Sequence, residues 1–353
     1  MIQSPEEYRK ALKKMDIPAL LREEDAEREK LDRLYHASKG TDAVVPSVTV
    51  QRKTARAYLR EIADEFLERA AEKEKAVLCT EHYDIVCNKG DILAMSDYFI
   101  PLEIGHSAQS AEKWRFRSRL QAALRHLVPR EGTVLLGQYY EENTHRGIFD
   151  LENMLFYNIG STAFKPLVET GIAFSVLDPA TPLSGNRKCC YVYQLALVQE
   201  VIAQFSSYTP AVEWKGVALD LSIPQSPLRY WQALRSQQDK IKRFVLEHTV
   251  DGGFAVFIEL HLRRKVSLAA TIKPLLDGVI CAFHGEYRFD PAAYFRQMIY
   301  PPFEHAVLEP REYYRSNRGW NPADERCRLA LVTVSYDAES PYFNGKLMYL
   351  PTK

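Results

Sequence analysis

Three acidic residues near the middle of the chain have the types and spacing of a cation site. Asp150 and Glu152 lie two residues apart, where a predicted strand gives way to an apolar, helix-like segment. An extended backbone points such side chains the same way, and Asp178 joins them if the chain folds back. Hard cations such as Mg²⁺ prefer carboxylate oxygens. The spacing therefore indicates a Mg²⁺ site, although Asp150 and Glu152 could instead only cap and stabilise a helix that begins at Leu151.

The elements that would position these residues follow from the hydrophobic pattern. A charged helical region occupies residues 1–75. A hairpin over residues 77–100, a basic helix over 110–127, a strand over 133–141, an apolar helix over 154–164 and a strand over 189–198 follow. We therefore predict an α+β fold after an N-terminal helical region.

The second half of the chain repeats this order. Strands are predicted over residues 217–222, 254–262 and 328–336, and helices over 226–248 and 267–283. The repetition indicates two related α+β units, residues 76–205 and 206–353, each running strand, helix, strand, helix, strand and together forming a pseudo-dimer. Two α+β units in series without a duplication fit the same pattern.

Composition excludes several classes of protein. The 353 residues contain 46 basic and 46 acidic side chains, so no overall charge attracts nucleic acid or an anionic membrane. The six cysteines show no metal-binding spacing, and no apolar run approaches the length of a membrane span. The sequence contains no P-loop. We expect a cytoplasmic protein with reduced thiols and no membrane partner.

Local clusters of basic residues nevertheless predict contacts with nucleic acid, most simply DNA. They lie on the two basic helices, in the run before the last helix, or within the last helix: Lys113, Arg115, Arg117, Arg119, Arg125, Lys240, Lys242, Arg243, Arg263, Arg264, Lys265 and Lys273. Such residues would pair with backbone phosphates. Taken singly, each helix also fits an ordinary solvated helix face. The acidic N-terminal helices could dock over the basic ones or bind a protein partner.

The two strand-to-helix segments, around Asp150 and around Ser267, resemble a motif of RusA-type Holliday-junction resolvases. These enzymes have D-x-D-N-x-x-K-x-x-x-D on a helix after a strand, followed by a further acidic residue. The first half has Asp150, Glu152 and Asn153 in this pattern, with Asp178 resembling the later acid. The second half has Lys273 and Asp277 at the right spacing, but Ser267, Ala269 and Ala270 replace the earlier acids and the Asn. The resemblance covers about 40 residues in each half.

This resemblance implies a metal-dependent, structure-specific DNA endonuclease. Asp150, Glu152 and Asp178 would hold Mg²⁺ as the catalytic set, and the basic residues would grip the DNA backbone. Each half, however, lacks part of the motif. The alternative is therefore a catalytically degenerate subunit that binds nucleic acid or acts as a scaffold in a larger complex.

Overall fold

The computed structural model describes residues 4–36, 46–71, 76–88, 90–101, 108–142, 150–177, 186–244, 253–285, 303–309 and 324–350. The fold is mixed α+β, as predicted. The chain divides into two compact units: unit 1 contains Met1–Leu127 and Leu183–Cys190, and unit 2 contains Val128–Pro182 and Tyr191–Lys353. The predicted ranges 1–75, 76–205 and 206–353 group the residues differently. They rest on a sequence duplication, which stays a prediction.

Unit 1 contains four α-helices and three short antiparallel strands in its described part. Its elements are α1 (Pro5–Leu12), α2 (Ile17–His36), α3 (Pro46–Ala71), β1 (Ala76–Cys79), β2 (Tyr83–Asn88), β3 (Asp91–Ser96) and α4 (Ala108–Leu124). β2 pairs with both β1 and β3, so the predicted hairpin is present as β2 and β3. Ser4 and Glu7 form a capping box that begins α1.

The N-terminal helices of unit 1 share one hydrophobic core. Leu12 of α1, Leu20 of α2 and Ile62 of α3 are completely buried in it, and Trp114 of α4 packs against it. Because this core needs side chains from all of these helices, the N-terminal region is an integral part of unit 1.

Unit 2 is built on a mixed sheet. Its strands are β4 (Thr133–Glu141), β5 (Gly171–Val176), β6 (Cys189–Leu197, whose first two residues fall in unit 1), β7 (Thr209–Ala218), β8 (Ile241–Arg243), β9 (Phe254–His261), β10 (Cys327–Ser335) and β11 (Tyr342–Tyr349). Their order is β6-β4-β5-β10-β9-β11-β7-β8. The pairs β4/β5 and β10/β9 are parallel, whereas β5/β10, β9/β11, β11/β7 and β7/β8 are antiparallel.

Helices cover both faces of this sheet. They are α5 (Val198–Gln204), α6 (Pro227–Ser236) and α7 (Leu268–Phe283). Val201 of α5 packs in a cluster with Ala255 of β9, whereas Leu260 of β9 lines a cavity with Tyr230 of α6. Positions 255 and 260 have opposite parity along the strand and so point to opposite faces. None of the helices that the structure describes combines the length and apolar content needed to cross a membrane.

The helices α6 and α7 approach each other closely at Gly278. A Cβ atom at this position would lie 2.3 Å from the carbonyl oxygen of Pro227, so only glycine allows this contact. Pro274 lies inside α7, in its second turn and not the first. Pro274 leaves the carbonyl of Ala270 without its helical donor, and Ala270 is exposed to water.

Several predicted elements have other boundaries in the structure. The predicted apolar helix over residues 154–164 is replaced by a π-helical turn, Asn153–Tyr157, and a 3₁₀ turn, Ser161–Ala163, because Gly160 between them has a φ of 110°. The predicted helix over 226–248 ends at Ser236, and the chain continues as β8. The strand predicted over 217–222 lies earlier, as β7, and β11 is an additional strand.

Candidate functional site

Four charged side chains of unit 2 meet at one point. The ammonium group of Lys273 donates to Asp150 Oδ2 at 3.1 Å, to Glu152 Oε1 at 3.0 Å and to Asp277 Oδ1 at 2.9 Å. The two segments involved are separated by more than a hundred residues in the chain. The first supplies Asp150 and Glu152, and the second supplies Lys273 and Asp277. We call these four residues the Lys273 cluster.

A short turn holds Asp150 and Glu152 in place. The backbone N–H of Met154 donates to the Asp150 carbonyl at 3.1 Å, and the side-chain amide of Asn153 donates to Asp150 Oδ2 at 2.6 Å. The turn is anchored to the sheet by Phe156, whose ring packs over Gly137 of β4, where a Cβ atom would be only 3.0 Å from the ring. Buried apolar packing therefore fixes the direction of both acidic side chains.

The other half of the cluster depends on the periodicity of α7. Lys273 and Asp277 are four residues apart, so they lie on the same face of the helix, one turn from each other. The opposite side of α7 is occupied by α6, which approaches at Gly278. The packing of α7 between α6 and the π-helical turn therefore directs Lys273 towards Asp150 and Glu152.

The Lys273 cluster carries more negative than positive charge. The side chains of Glu152 and Asp277 are 1% and 7% exposed, and those of Asp150 and Lys273 are 18% and 24% exposed. Burial raises the pKa of Glu152 to about 7, even though Lys273 lowers it, and the nearby Asp150 and Asp277 add to the increase. Burial likewise raises the pKa of Asp277. The single positive charge of Lys273 thus does not balance the negative charges of three carboxylates at this largely buried site.

Two buried oxygen atoms at the cluster have no protein donor among the described residues. They are Oε2 of Glu152 and Oδ1 of Asn153. Carboxylate and carboxamide oxygens are ligands of hard cations, so the donor set and the excess negative charge fit a divalent cation. In the arrangement shown, however, the carboxylates surround an ammonium group, and the described residues contain no set of three or more His, Cys, Asp or Glu side chains arranged to hold a metal ion.

The predicted site and the described cluster differ at three residues. Asp178 lies outside the described residues, so the structure leaves its proposed role untested. Asp277 was not among the predicted metal ligands, although its spacing from Lys273 follows the motif. Lys273 was predicted to contact nucleic acid, and this stays a prediction; in the structure its ammonium group donates to three carboxylates. The helix-cap interpretation of Asp150 accounts for none of these long-range contacts.

The predicted nucleic-acid contacts of unit 1 are largely engaged within that unit. Arg115 forms ion pairs with Asp25 and Glu112, Arg119 pairs with Glu24 at 3.1 Å and is 4% exposed, and Arg125 pairs with Asp64. The ammonium group of Lys113 lies 5.5 Å from the centre of the Tyr98 ring. Arg117 is half-buried and also engaged. Acidic side chains of α2 and α3 therefore pair with the basic residues of α4 and with Arg125 just after it. This is the docked arrangement, the first of the two alternatives for the N-terminal helices.

The predicted contacts of unit 2 are more exposed. Lys240 donates to the Gly216 carbonyl at 2.6 Å, Lys242 lies 4.9 Å from the centre of the Phe244 ring, and Arg243 donates to the Glu304 carbonyl at 3.3 Å. The remaining three residues, Arg263, Arg264 and Lys265, are consecutive and exposed just before α7. This run places three basic side chains at the protein surface.

Replacing Glu152 by Gln is expected to flatten the pH dependence of stability. The raised pKa means that the folded protein keeps a proton between about pH 4.5 and pH 7 that the unfolded chain has lost. The Glu152 contribution therefore makes stability fall as pH rises through this window. Because Gln cannot ionise, Glu152→Gln should be more stable than the wild type at pH 8 by about 1–3 kcal/mol.

Urea unfolding at pH 5 and pH 8 measures this effect. The exposed Glu131, replaced by Gln, is the matched control and should behave like the wild type. Equal pH slopes in the wild type and Glu152→Gln would show that Glu152 is not a buried, charge-crowded carboxyl.

The Lys273 cluster thus draws its residues from two distant segments of the chain. Asp150, Glu152 and Asn153 come from one segment, and Lys273 and Asp277 come from the other. Comparisons of the chain with protein-family models, with curated proteins and with solved structures find no match.

Proposed function

We propose that unit 2 carries a divalent-cation-dependent site for hydrolysis of phosphodiester bonds in DNA, as in a structure-specific endonuclease. The observation that carries this proposal is the convergence of Asp150, Glu152 and Asp277 on one ammonium group. An internal duplication in which each half kept a complementary part of the motif, forming a pseudo-dimer, would explain why both predicted halves contribute to one site.

In this proposal the three carboxylates would hold Mg²⁺ or Mn²⁺. The bound ion would lower the pKa of a water molecule and stabilise the leaving oxygen. Asn153 orients Asp150 through its amide group, and the buried oxygens of Glu152 and Asn153 remain available as ligands. Lys273 keeps the carboxylates together before the cation binds, since without a positive charge they would repel one another.

A second function is favoured by the ammonium group itself. Lys273 already occupies the position between the carboxylates, so the cluster is also a salt-bridge lock that joins α7 to the turn at Asp150. In that case the chain would be a degenerate, non-enzymatic subunit that binds nucleic acid or assembles a complex. Exposed apolar residues on the N-terminal helices, such as Ile17 and Val50, would suit a protein partner.

Cleavage of a synthetic four-way DNA junction separates these two functions. We expect cleavage with Mg²⁺ or Mn²⁺ and none with EDTA. Asp150→Asn should lower the rate by about 10³-fold, because a lost cation ligand removes several kcal/mol of charge stabilisation. The exposed Asp239, replaced by Asn, is the matched control. If folded wild-type protein cleaves neither junction nor single-stranded DNA with either ion, the enzymatic proposal fails and the scaffold function remains.

A cytoplasmic location accompanies this proposal. All six cysteines, Cys79, Cys87, Cys189, Cys190, Cys281 and Cys327, are free thiols. Free thiols persist most readily in a reducing compartment. DNA that is accessible to a cytoplasmic enzyme would then be the substrate.

A further inference from the structure

A cavity of about 250 Å³ lies beside the first turn of α7 in unit 2. Leu219, Leu221, Leu260, Leu262 and Tyr230 form its apolar wall. Pockets for drug-sized ligands are about 300–1,000 Å³, so this cavity suits a smaller molecule or one unit of a polymer. Thr271 lines the cavity, and Lys273 lies two residues further along α7. A separation of two residues places these side chains on nearly opposite sides of the helix. The cavity is therefore distinct from the Lys273 cluster.

The rim of this cavity is positively charged. Arg229, Arg263, Arg264 and Lys265 all line it, and none of its described lining residues carries a carboxylate. Arg229 is held in the wall because its Nε donates to the Ile223 carbonyl at 2.8 Å. Lys265 makes one exposed contact, 3.4 Å long, with Glu169. The guanidinium groups of Arg263 and Arg264 have no hydrogen-bond or ion-pair partner among the described residues.

The beginning of α7 adds to this positive potential. The side chain of Ser267 at the N-cap makes no capping hydrogen bond, and the first turn contains no acidic residue. Positive charge at the N-terminal end of a helix favours anions. Gln225 donates to Thr271 Oγ1 at 2.5 Å, which fixes a polar group in the cavity wall.

The geometry points to a nucleoside phosphate as the ligand of this cavity, with the phosphate on the basic rim and the base against the apolar wall. Several cations around one opening match a multiply charged phosphate better than a single carboxylate, and guanidinium groups bind phosphate oxygens in pairs. The ligand is either a free mononucleotide or one nucleotide of a DNA strand. In the second case the inference rests on the proposed function and identifies how the strand is held.

Titration with adenosine 5′-monophosphate and with a short single-stranded DNA tests this inference. Both are measured by calorimetry in EDTA, with wild-type protein and with Asp150→Asn, so that the Lys273 cluster plays no part. Each ligand is compared with adenosine and with inorganic phosphate. The double variant Arg263→Glu/Arg264→Glu reverses two positive charges of the rim. Leu221→Trp fills the cavity from a position that is 41% exposed. The double variant Arg130→Glu/Lys165→Glu is the control, because both residues are exposed.

We expect the monophosphate, the DNA strand or both to bind to the wild type. The affinity should fall at least about tenfold in the Arg263→Glu/Arg264→Glu variant. Leu221→Trp should also weaken binding, whereas the control and Asp150→Asn should not. Absence of binding, or binding that Leu221→Trp leaves unchanged, would overturn the inference; so would inorganic phosphate binding as tightly as the nucleotide. Nucleotide binding without any DNA cleavage would refute the proposed function alone. If the Arg263→Glu/Arg264→Glu variant cleaves DNA with an unchanged KM for DNA, only the role of the cavity in strand binding is refuted.

Discussion

Replacing Lys273 by Met is expected to lower the free energy of unfolding at pH 8 by about 3–5 kcal/mol, because breaking a buried ion pair leaves its partners uncompensated. Three carboxylates would then share one buried place without a cation. Met fills nearly the same volume, so the loss of charge dominates the effect. The loss should be smaller at pH 5, where Glu152 and Asp277, whose pKa values are raised, take up protons more readily.

Chemical unfolding of Lys273→Met at the two pH values measures this loss. The exposed Lys165, replaced by Met, is the matched control and should change stability by no more than about 0.5 kcal/mol. A loss below about 1 kcal/mol at pH 8 would place Lys273 outside the carboxylate cluster.

Replacing Arg119 by Met should destabilise unit 1 by a similar amount, about 3–5 kcal/mol. Arg119 is 4% exposed, pairs with Glu24, which is 1% exposed, and stacks over the Phe66 ring at 4.7 Å. Its removal leaves the Glu24 carboxylate buried beside the more distant Arg115, at 3.7 Å. Burial already raises the pKa of Glu24, so an unpaired charge there is costly.

The second variant, Arg119→Met/Glu24→Gln, is designed to separate structure from DNA binding. Removing both charges should recover more than half of the lost stability, because no buried charge is left unpaired. Its affinity for DNA should match that of the wild type. A stable Arg119→Met protein that binds DNA less tightly would instead make Arg119 a phosphate contact.

Much of the fold could be predicted from local patterns. The limits of β4, β9, β10 and α7 follow the predicted segments closely, because each is a largely apolar segment bounded by polar or turn residues. β11 was not predicted, since Asn344 and Gly345 in its middle are typical of a turn. Gly345 is required there because the Trp214 ring would lie 2.3 Å from a Cβ atom.

The candidate site could be predicted only in pieces. The spacing of Asp150 with Glu152, and of Lys273 with Asp277, follows from the sequence. Their meeting depends on the placement of α7 beside the turn at Asp150, which local patterns do not encode. For the same reason, the basic pattern of α4 could not distinguish a DNA-binding face from one paired with acidic helices.

Calorimetric titration with Mn²⁺ tests the central claim, that the carboxylates of the Lys273 cluster form one cation site. The wild type should bind one ion, and Asp277→Asn should lose binding as completely as Asp150→Asn, because both carboxylates contact the same ammonium group in the structure. The matched control, Asp239→Asn, should bind as the wild type does. Absence of binding in the wild type, or undiminished binding in Asp277→Asn, would contradict the composite site.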